Sequence, residues 1–310
     1  MKKISIYWAG YHPATSIQAQ TIHYIKQEFL KLYDTDIIFK FDTDIGALGY
    51  KAIDLLELVE NGDVDCCYFY SSYLTERIPD LNIFELPFQI ESRDSIYSLL
   101  DGDLGEYLAK SINDNTGYKL IGWWDNGIRH LSNNTREINN IDDCRDLVLR
   151  IAKNDIHRIA FNGMGFKAKF VDVKDLPNAI SNKEIDAQEN PLTNIINYGI
   201  EDYQKYITMT SHLYGNSVVL ANNDTYYKWP LDFRRNLASV MKKATKFQRS
   251  LAISEDKRCL DYLINKGTNI TYLNAKNTFE FKNISQELIQ KTIKTFSPNV
   301  IGQFNKLNKV

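Results

Sequence analysis

The chain has 310 residues, with 37 Lys and Arg against 39 Asp and Glu, a formal charge of −2. That length suits two domains of ordinary size, and the even charge balance argues against a protein built to grip nucleic acid. A hydrophobic share of 44% with 25% charged residues is a globular composition and excludes intrinsic disorder as the main state.

No stretch approaches the roughly 18 uncharged apolar residues of a membrane span. The run Ile4 to Gly10 after Met1-Lys2-Lys3 is too short for a signal peptide. It meets Tyr11-His12-Pro13 with no small-residue cleavage site, and reads as a first strand. On residues alone the location stays open between the cytoplasm and an extracytoplasmic space reached after a leader is removed.

Short apolar runs then alternate with 3.6-period segments, the pattern of an α/β fold. Strands are predicted at 4–9, 36–41, 64–70, 119–124, 147–152, 168–173, 206–210, 217–222 and 269–273. A helix carrying Ile17, Ile22, Ile25, Phe29 and Leu32, capped by Ser16 or Thr15, separates the first two. Further helices are predicted at 52–61, ending near Gly62, at 95–109 and at 176–181. A long one runs from Trp229-Pro230 to about Ala252, followed by 255–266 and by an amphipathic 285–296.

Cys66, Cys67, Cys144 and Cys259 fit no zinc spacing and read as buried thiols; neither a metal nor a cofactor is expected. There is no P-loop and no Gly-x-Gly-x-x-Gly, and Asn162-Gly163-Met164-Gly165 reads as a helix end leading into a strand. Ser71-Ser72 follow a strand without a nucleophile elbow around them. His23 and His157 fall on helices and read as structural, whereas His12, His130 and His212 follow or flank strands, where sites are built.

Three segments carry more information. In Trp123-Trp124-Asp125-Asn126-Gly127-Ile128-Arg129-His130-Leu131-Ser132-Asn133, a strand is predicted to end in a tight Asn-Gly turn with an Arg beyond it. In Leu149-Arg150-Ile151-Ala152 an Arg sits in an apolar strand. A buried guanidinium needs an anion, and an internal carboxylate or a ligand would each serve. In Ile185-Asp186-Ala187-Gln188-Glu189-Asn190-Pro191-Leu192 a polar run lies between apolar flanks, which suggests polar groups held on a rigid frame.

Together these segments resemble the solute-binding proteins of tripartite ATP-independent periplasmic (TRAP) transporters, the DctP-like family. That family shows Gly-x-Arg-x-x-x-Asn, then a strand ending in Arg, then Val-Asp-Gly-Gln-Glu-Asn-Pro. The matching elements here are Gly127 to Asn133, Leu147-Val148-Leu149-Arg150 and Ile185 to Pro191. Leu48-Gly49, Asn61 to Asp65, Phe84-Glu85-Leu86-Pro87-Phe88, Thr210 to Tyr214 and Gln248-Arg249 agree in order along the chain.

The resemblance implies a two-domain α/β fold with a central cleft, hinge strands near Trp124 and Tyr214, and a long C-terminal helix bridging both domains. The domains would be discontinuous, 1–126 with 215–254 and 127–214 with 255–310. It implies a small organic acid as ligand. Arg150 would clamp the carboxylate with its planar fork, with Asn190 adding an amide hydrogen bond and Arg129 a second guanidinium nearby. The rim is expected from Tyr11, His12, Tyr68, Phe69, Tyr70, Trp124, Asp125 and Tyr214, with Phe69 the one that points away. Partners implied are TRAP membrane permease subunits and no nucleic acid, for a periplasmic monomer with no catalytic residues.

Two departures matter. Ala152 stands where the family commonly has Pro. Tyr70 stands where some acidic-sugar binders carry Glu, which argues against a sialic acid ligand. Rival readings are a cytoplasmic ligand sensor or carrier of the same fold, and an enzyme using His130 or His212 with Asp125, for which no nucleophile or metal ligand is apparent.

Overall fold

The structure, a computed structural model, describes residues 3–307. The chain divides into two compact units. Unit 1 comprises residues 1–70, 109–125 and 216–255, and unit 2 comprises 71–108, 126–215 and 256–310.

In unit 1 the strand β1 (Ile4–Ala9) lies between β2 (Ile37–Asp42) and β3 (Cys66–Tyr70), parallel to both. The helix α1 (Ile17–Tyr33) starts where Ser16 Oγ accepts from the Ala19 N–H at 3.1 Å. Its stripe of Ile22, Ile25 and Phe29 is fully buried, each contributing about 1.5–3 kcal/mol by leaving water. Leu32 of the same predicted stripe is exposed. The helix α2 (Asp54–Asn61) ends at Gly62, whose φ of +83° closes the turn without a Cβ penalty.

The predicted third helix is two, α3 (Arg93–Asp101) and α4 (Asp103–Asn115). Gly102 adopts an extended conformation between them, and a Cβ there would lie 2.8 Å from the Ser98 carbonyl oxygen.

Next comes β4 (Tyr118–Asn133), sixteen residues without a turn. Asn126-Gly127 therefore does not end the strand. Gly127 takes φ +86°, and a Cβ on it would meet Pro191 Cβ at 2.5 Å. The glycine permits a close approach of neighbouring backbone, a use that an Asn-Gly pair does not separate from a hairpin turn.

Unit 2 continues with β5 (Val148–Ile151), α5 (Asp155–Gly163), β6 (Lys167–Phe170), α6 (Leu176–Ser181), β7 (Ala187–Pro191) and α7 (Leu192–Asn197). The polar run is thus a strand, buried along its whole length. It pairs antiparallel with β4 (Arg129 opposite Pro191, Asn133 opposite Ala187) and parallel with β5. In turn β5 pairs parallel with β6. The two strands predicted at 206–210 and 217–222 are one, β8 (Tyr206–Asn222), which pairs antiparallel with β3 in unit 1 and parallel with β9 (Asn269–Tyr272) in unit 2.

After α8 (Asn223–Lys228), the helix predicted in two pieces is a single α9 (Leu231–Asn265). Ser254, at the predicted break, returns its hydroxyl to the Leu251 carbonyl oxygen at 3.0 Å and so stays within the helix. The chain ends in α10 (Ala275–Ile293) and α11 (Pro298–Leu307).

Residues 71–108, which the family resemblance assigned to a domain of 1–126 with 215–254, pack in unit 2. The ties are specific. Asn154 Nδ2 donates to Asn82 Oδ1 at 2.9 Å, His157 Nε2 lies 2.8 Å from Glu85 Oε2, and Arg93 pairs with Asp256 at 2.7 Å. All four cysteines are buried and unbridged. No described helix is long and apolar enough to cross a membrane.

Candidate functional site

The two arginines singled out from sequence both lie in unit 2, and both are 2% exposed. Arg129, on β4, is neutralised from within. Its Nε donates to Glu189 Oε2 at 2.5 Å, and Nη2 donates to Glu189 Oε1 at 2.7 Å, to the Glu189 carbonyl at 2.8 Å and to Asn190 Oδ1 at 3.2 Å. His212 on β8 places Nε2 3.3 Å from Glu189 Oε2, while its Nδ1 is 2.7 Å from Thr210 Oγ1. Burial alone would raise the Glu189 carboxyl, but the Arg129 charge and the His212 hydrogen bond outweigh it and hold the group well below the usual carboxylate range.

Arg150, on β5, is different. Its Nε donates to the Val171 carbonyl at 2.8 Å. Among the described residues no carboxylate lies within ion-pair distance of it. The internal salt bridge that sequence left open is therefore absent, and the guanidinium keeps most of its donors for another anion. Tyr73, on the turn Ser71–Leu74 after β3, faces it. Burial raises the Tyr73 phenol, whereas Arg150, which also hydrogen-bonds it, and Arg129 lower it; Asp172 raises it further. Tyr73 thus marks the ground around Arg150. Sequence reading passed it over; the available signal was its place just past a strand end, beside Ser71-Ser72.

Asn190 lies on β7. Its Nδ2 donates to Gln188 Oε1 at 2.6 Å and its Oδ1 accepts from Arg129, so only one of its two amide N–H donors is used among the described residues. Beyond Arg150 the chain runs along a hollow of about 310 Å³ within unit 2, lined among others by Ile151, Ala152, Asn154 and Phe170.

Unit 1 gathers the aromatic candidates. His12 Nδ1 and the Tyr68 hydroxyl are 3.0 Å apart. The Tyr11 ring lies 4.2 Å from His12, 5.4 Å from Tyr68 and 4.7 Å from Phe69, and Tyr68 lies 5.7 Å from Trp124. Phe69, expected to point away, is in the same cluster through Tyr11. Tyr70 sits opposite Ser217 on β8. The Trp124 Nε1 donor, both polar atoms of the Asn216 amide and Ser217 Oγ are buried with no hydrogen-bond partner among the described residues. Asn216 and Ser217 were not singled out from sequence; Asn216 directly precedes, and Ser217 opens, the strand predicted at 217–222. The Asp125 backbone is gripped by Gln248, which accepts from its N–H at 2.8 Å and donates to its carbonyl at 2.7 Å.

Tyr214 lies on β8. Its hydroxyl donates to the Glu91 carbonyl at 3.0 Å, in a hollow of about 180 Å³ that Ser211 and Lys282 also line. His130 accepts from the Ser211 N–H at 3.2 Å, and burial, with His212 and Arg93 nearby, pushes its imidazole down to about 3. His130 and His212 lie in unit 2, Asp125 in unit 1.

Residues 9–295 match the DctP family, described as bacterial extracellular solute-binding protein, family 7. The chain belongs to that family. A solute-binding protein of Verminephrobacter eiseniae is 27% identical over 72% of this chain, the match spanning 66% of that relative. The fold agrees with the galactonate complex of the sugar acid binding protein DctPAm from Advenella mimigardefordensis, at a TM-score of 0.94 and 22% identity over 100% of this chain and 99% of that one. It agrees also with a TRAP periplasmic solute-binding protein from Sulfurospirillum deleyianum with bound succinate, at a TM-score of 0.92 and 20% identity over 99% and 100%. Within this DctP-family chain, Arg129 belongs to a polar network with Glu189, Asn190 and His212, whereas Arg150 has no carboxylate within ion-pair distance among the described residues.

Proposed function

We propose that this chain binds a small organic acid by its carboxylate at Arg150 and delivers it to the membrane permease of a TRAP transporter. Galactonate and succinate in the two solved relatives support an acid as ligand. The observation that carries the reading is Arg150 itself, buried on an apolar strand with no carboxylate partner among the described residues. A carboxylate arriving there meets a preformed fork and makes two charge-assisted hydrogen bonds that Lys cannot reproduce. Asn190 supplies a further N–H. Tyr70 and Trp124 in unit 1 act on ligand choice. The protein works as a periplasmic monomer and does not catalyse a reaction; permease recognition depends on the liganded form.

The test is a thermal-shift screen of small organic acids with neutral analogues as controls, followed by calorimetry on Arg150→Ala. Stabilisation confined to carboxylates and lost in the variant is the expected result. Binding of neutral compounds only, or unchanged carboxylate affinity in Arg150→Ala, overturns the proposal.

A further inference from the structure

Asp172 lies just past β6, next to Val171, whose carbonyl takes the Arg150 Nε–H at 2.8 Å. Its Oδ1 is used locally, accepting from the Lys174 N–H at 2.9 Å. Its Oδ2 is buried and has no hydrogen-bond partner among the described residues, on a residue 8% exposed. Through its neighbour Val171 the Asp172 carboxylate is one residue from the backbone that holds the Arg150 guanidinium, and Tyr73, which hydrogen-bonds Arg150, also feels the Asp172 charge. On the turn that carries Tyr73, the Ser71 and Ser72 hydroxyls are also buried without side-chain partners.

An unpartnered carboxylate oxygen only accepts, and leaving it unmade in a buried place is costly. We infer that Asp172 Oδ2 accepts a hydrogen bond from a ligand hydroxyl close to the carboxylate held by Arg150, so that the substrates are hydroxy acids and a second carboxylate at that place is rejected. The inference rests on the proposed role of Arg150 and deepens it. A hydroxyl fits better than an ammonium, because an ammonium brings three N–H donors and Asp172 offers one free oxygen. A second carboxylate there would face Asp172 as a like charge, which is the repulsive half of a specificity device.

Calorimetry on matched acids tests this: 2- and 3-hydroxybutyrate against butyrate, malate against succinate, and 2-aminobutyrate against 2-hydroxybutyrate, with gluconate as a polyhydroxylated probe. In the wild type a correctly placed hydroxyl should tighten binding about tenfold or more, the range of a charge-assisted hydrogen bond. Asp172→Asn keeps a side-chain oxygen for the Lys174 N–H and so preserves the turn, which an unchanged melting temperature verifies. In that variant the hydroxyl advantage should vanish while succinate binds as well or better.

A hydroxyl advantage that survives Asp172→Asn, or an equal loss for hydroxylated and plain acids, overturns the inference. So does 2-aminobutyrate binding more tightly than 2-hydroxybutyrate. The Arg150→Ala variant separates the two proposals. If it binds all acids like the wild type, the carboxylate clamp itself fails. If it loses all of them while Asp172→Asn treats both classes alike, only the hydroxy-acid inference falls.

Discussion

Two arginines in one unit, equally buried, have opposite surroundings. Around Arg129 the protein supplies everything: a bidentate carboxylate, a main-chain carbonyl, an amide oxygen, and a histidine behind the carboxylate. Around Arg150 it supplies one carbonyl and a phenol. The difference separates a charge that the fold neutralises from one that it leaves without a carboxylate among the described residues, which is what the proposed ligand role of Arg150 rests on. Burial alone does not distinguish them; the inventory of partners does.

The largest effect that could break this comparison is on stability. Arg129→Met strands Glu189 as an uncompensated buried charge and should cost about 3–5 kcal/mol in urea unfolding. Arg150→Met should leave stability unchanged or raised, since it removes a buried charge that has no carboxylate partner. Equal losses from the two variants would erase the distinction.

In ligand affinity the order reverses. Arg150→Met should weaken carboxylate binding about a hundredfold, roughly 2.7 kcal/mol, and Arg150→Lys should recover little of it. Gly127→Ala sharpens the structural side. A Cβ 2.5 Å from Pro191 Cβ, on a residue at φ +86°, disturbs the ladder that brings Arg129 to β7 and should cost about 1–3 kcal/mol.

Acid should strike the same side. His130 is depressed to about 3, so below its unfolded pKa near 6.5 the unfolded chain takes up the proton and stability falls as pH drops from about 6.5 toward 3. Glu189, also depressed, adds a loss that begins as pH falls through the unfolded carboxylate range. The melting temperature should therefore decline from pH 7 to pH 4, and His130→Gln should flatten the upper part of that decline. A flat profile in the wild type would remove the basis for it. The smallest expected effect is a few-fold change in the affinity ratio between two acids on Tyr70→Phe; identical ratios across a ligand panel would dismiss Tyr70 as a specificity residue.

Strands and helices with strong periodicity were legible in the sequence: β1 and α6 match to the residue, and Ser16 caps α1 as read. Arg150 stood out as a charge in an apolar strand, whereas Arg129 and Asn190 were singled out through the family resemblance of their segments. What escaped was anything decided by a distant partner. Gln188-Glu189-Asn190 has no strand periodicity, and it is a strand because β4 and β5 pair with it on both sides and its polar groups satisfy one another. Asn126-Gly127 carries turn chemistry but serves a close contact with Pro191. Tyr73 looks like an ordinary loop residue, and Asp172 fell inside the strand predicted at 168–173, which ends at Phe170; no local pattern announces that Arg150 has no carboxylate partner among the described residues.

The pairing of β3 with β8 has a consequence during synthesis. Cys67 finds its neighbour Leu220 only after roughly 150 further residues have been made. At about 5–20 residues per second that is a wait on the order of ten seconds. Through that interval the segment Cys66–Tyr70, rich in aromatic side chains and thiols, has no partner on one flank, which makes it adhesive to other nascent chains. A molecular chaperone that holds the chain open until β8 emerges would shield this segment first, and yield on overexpression should respond to its supply before it responds to any change near Arg150.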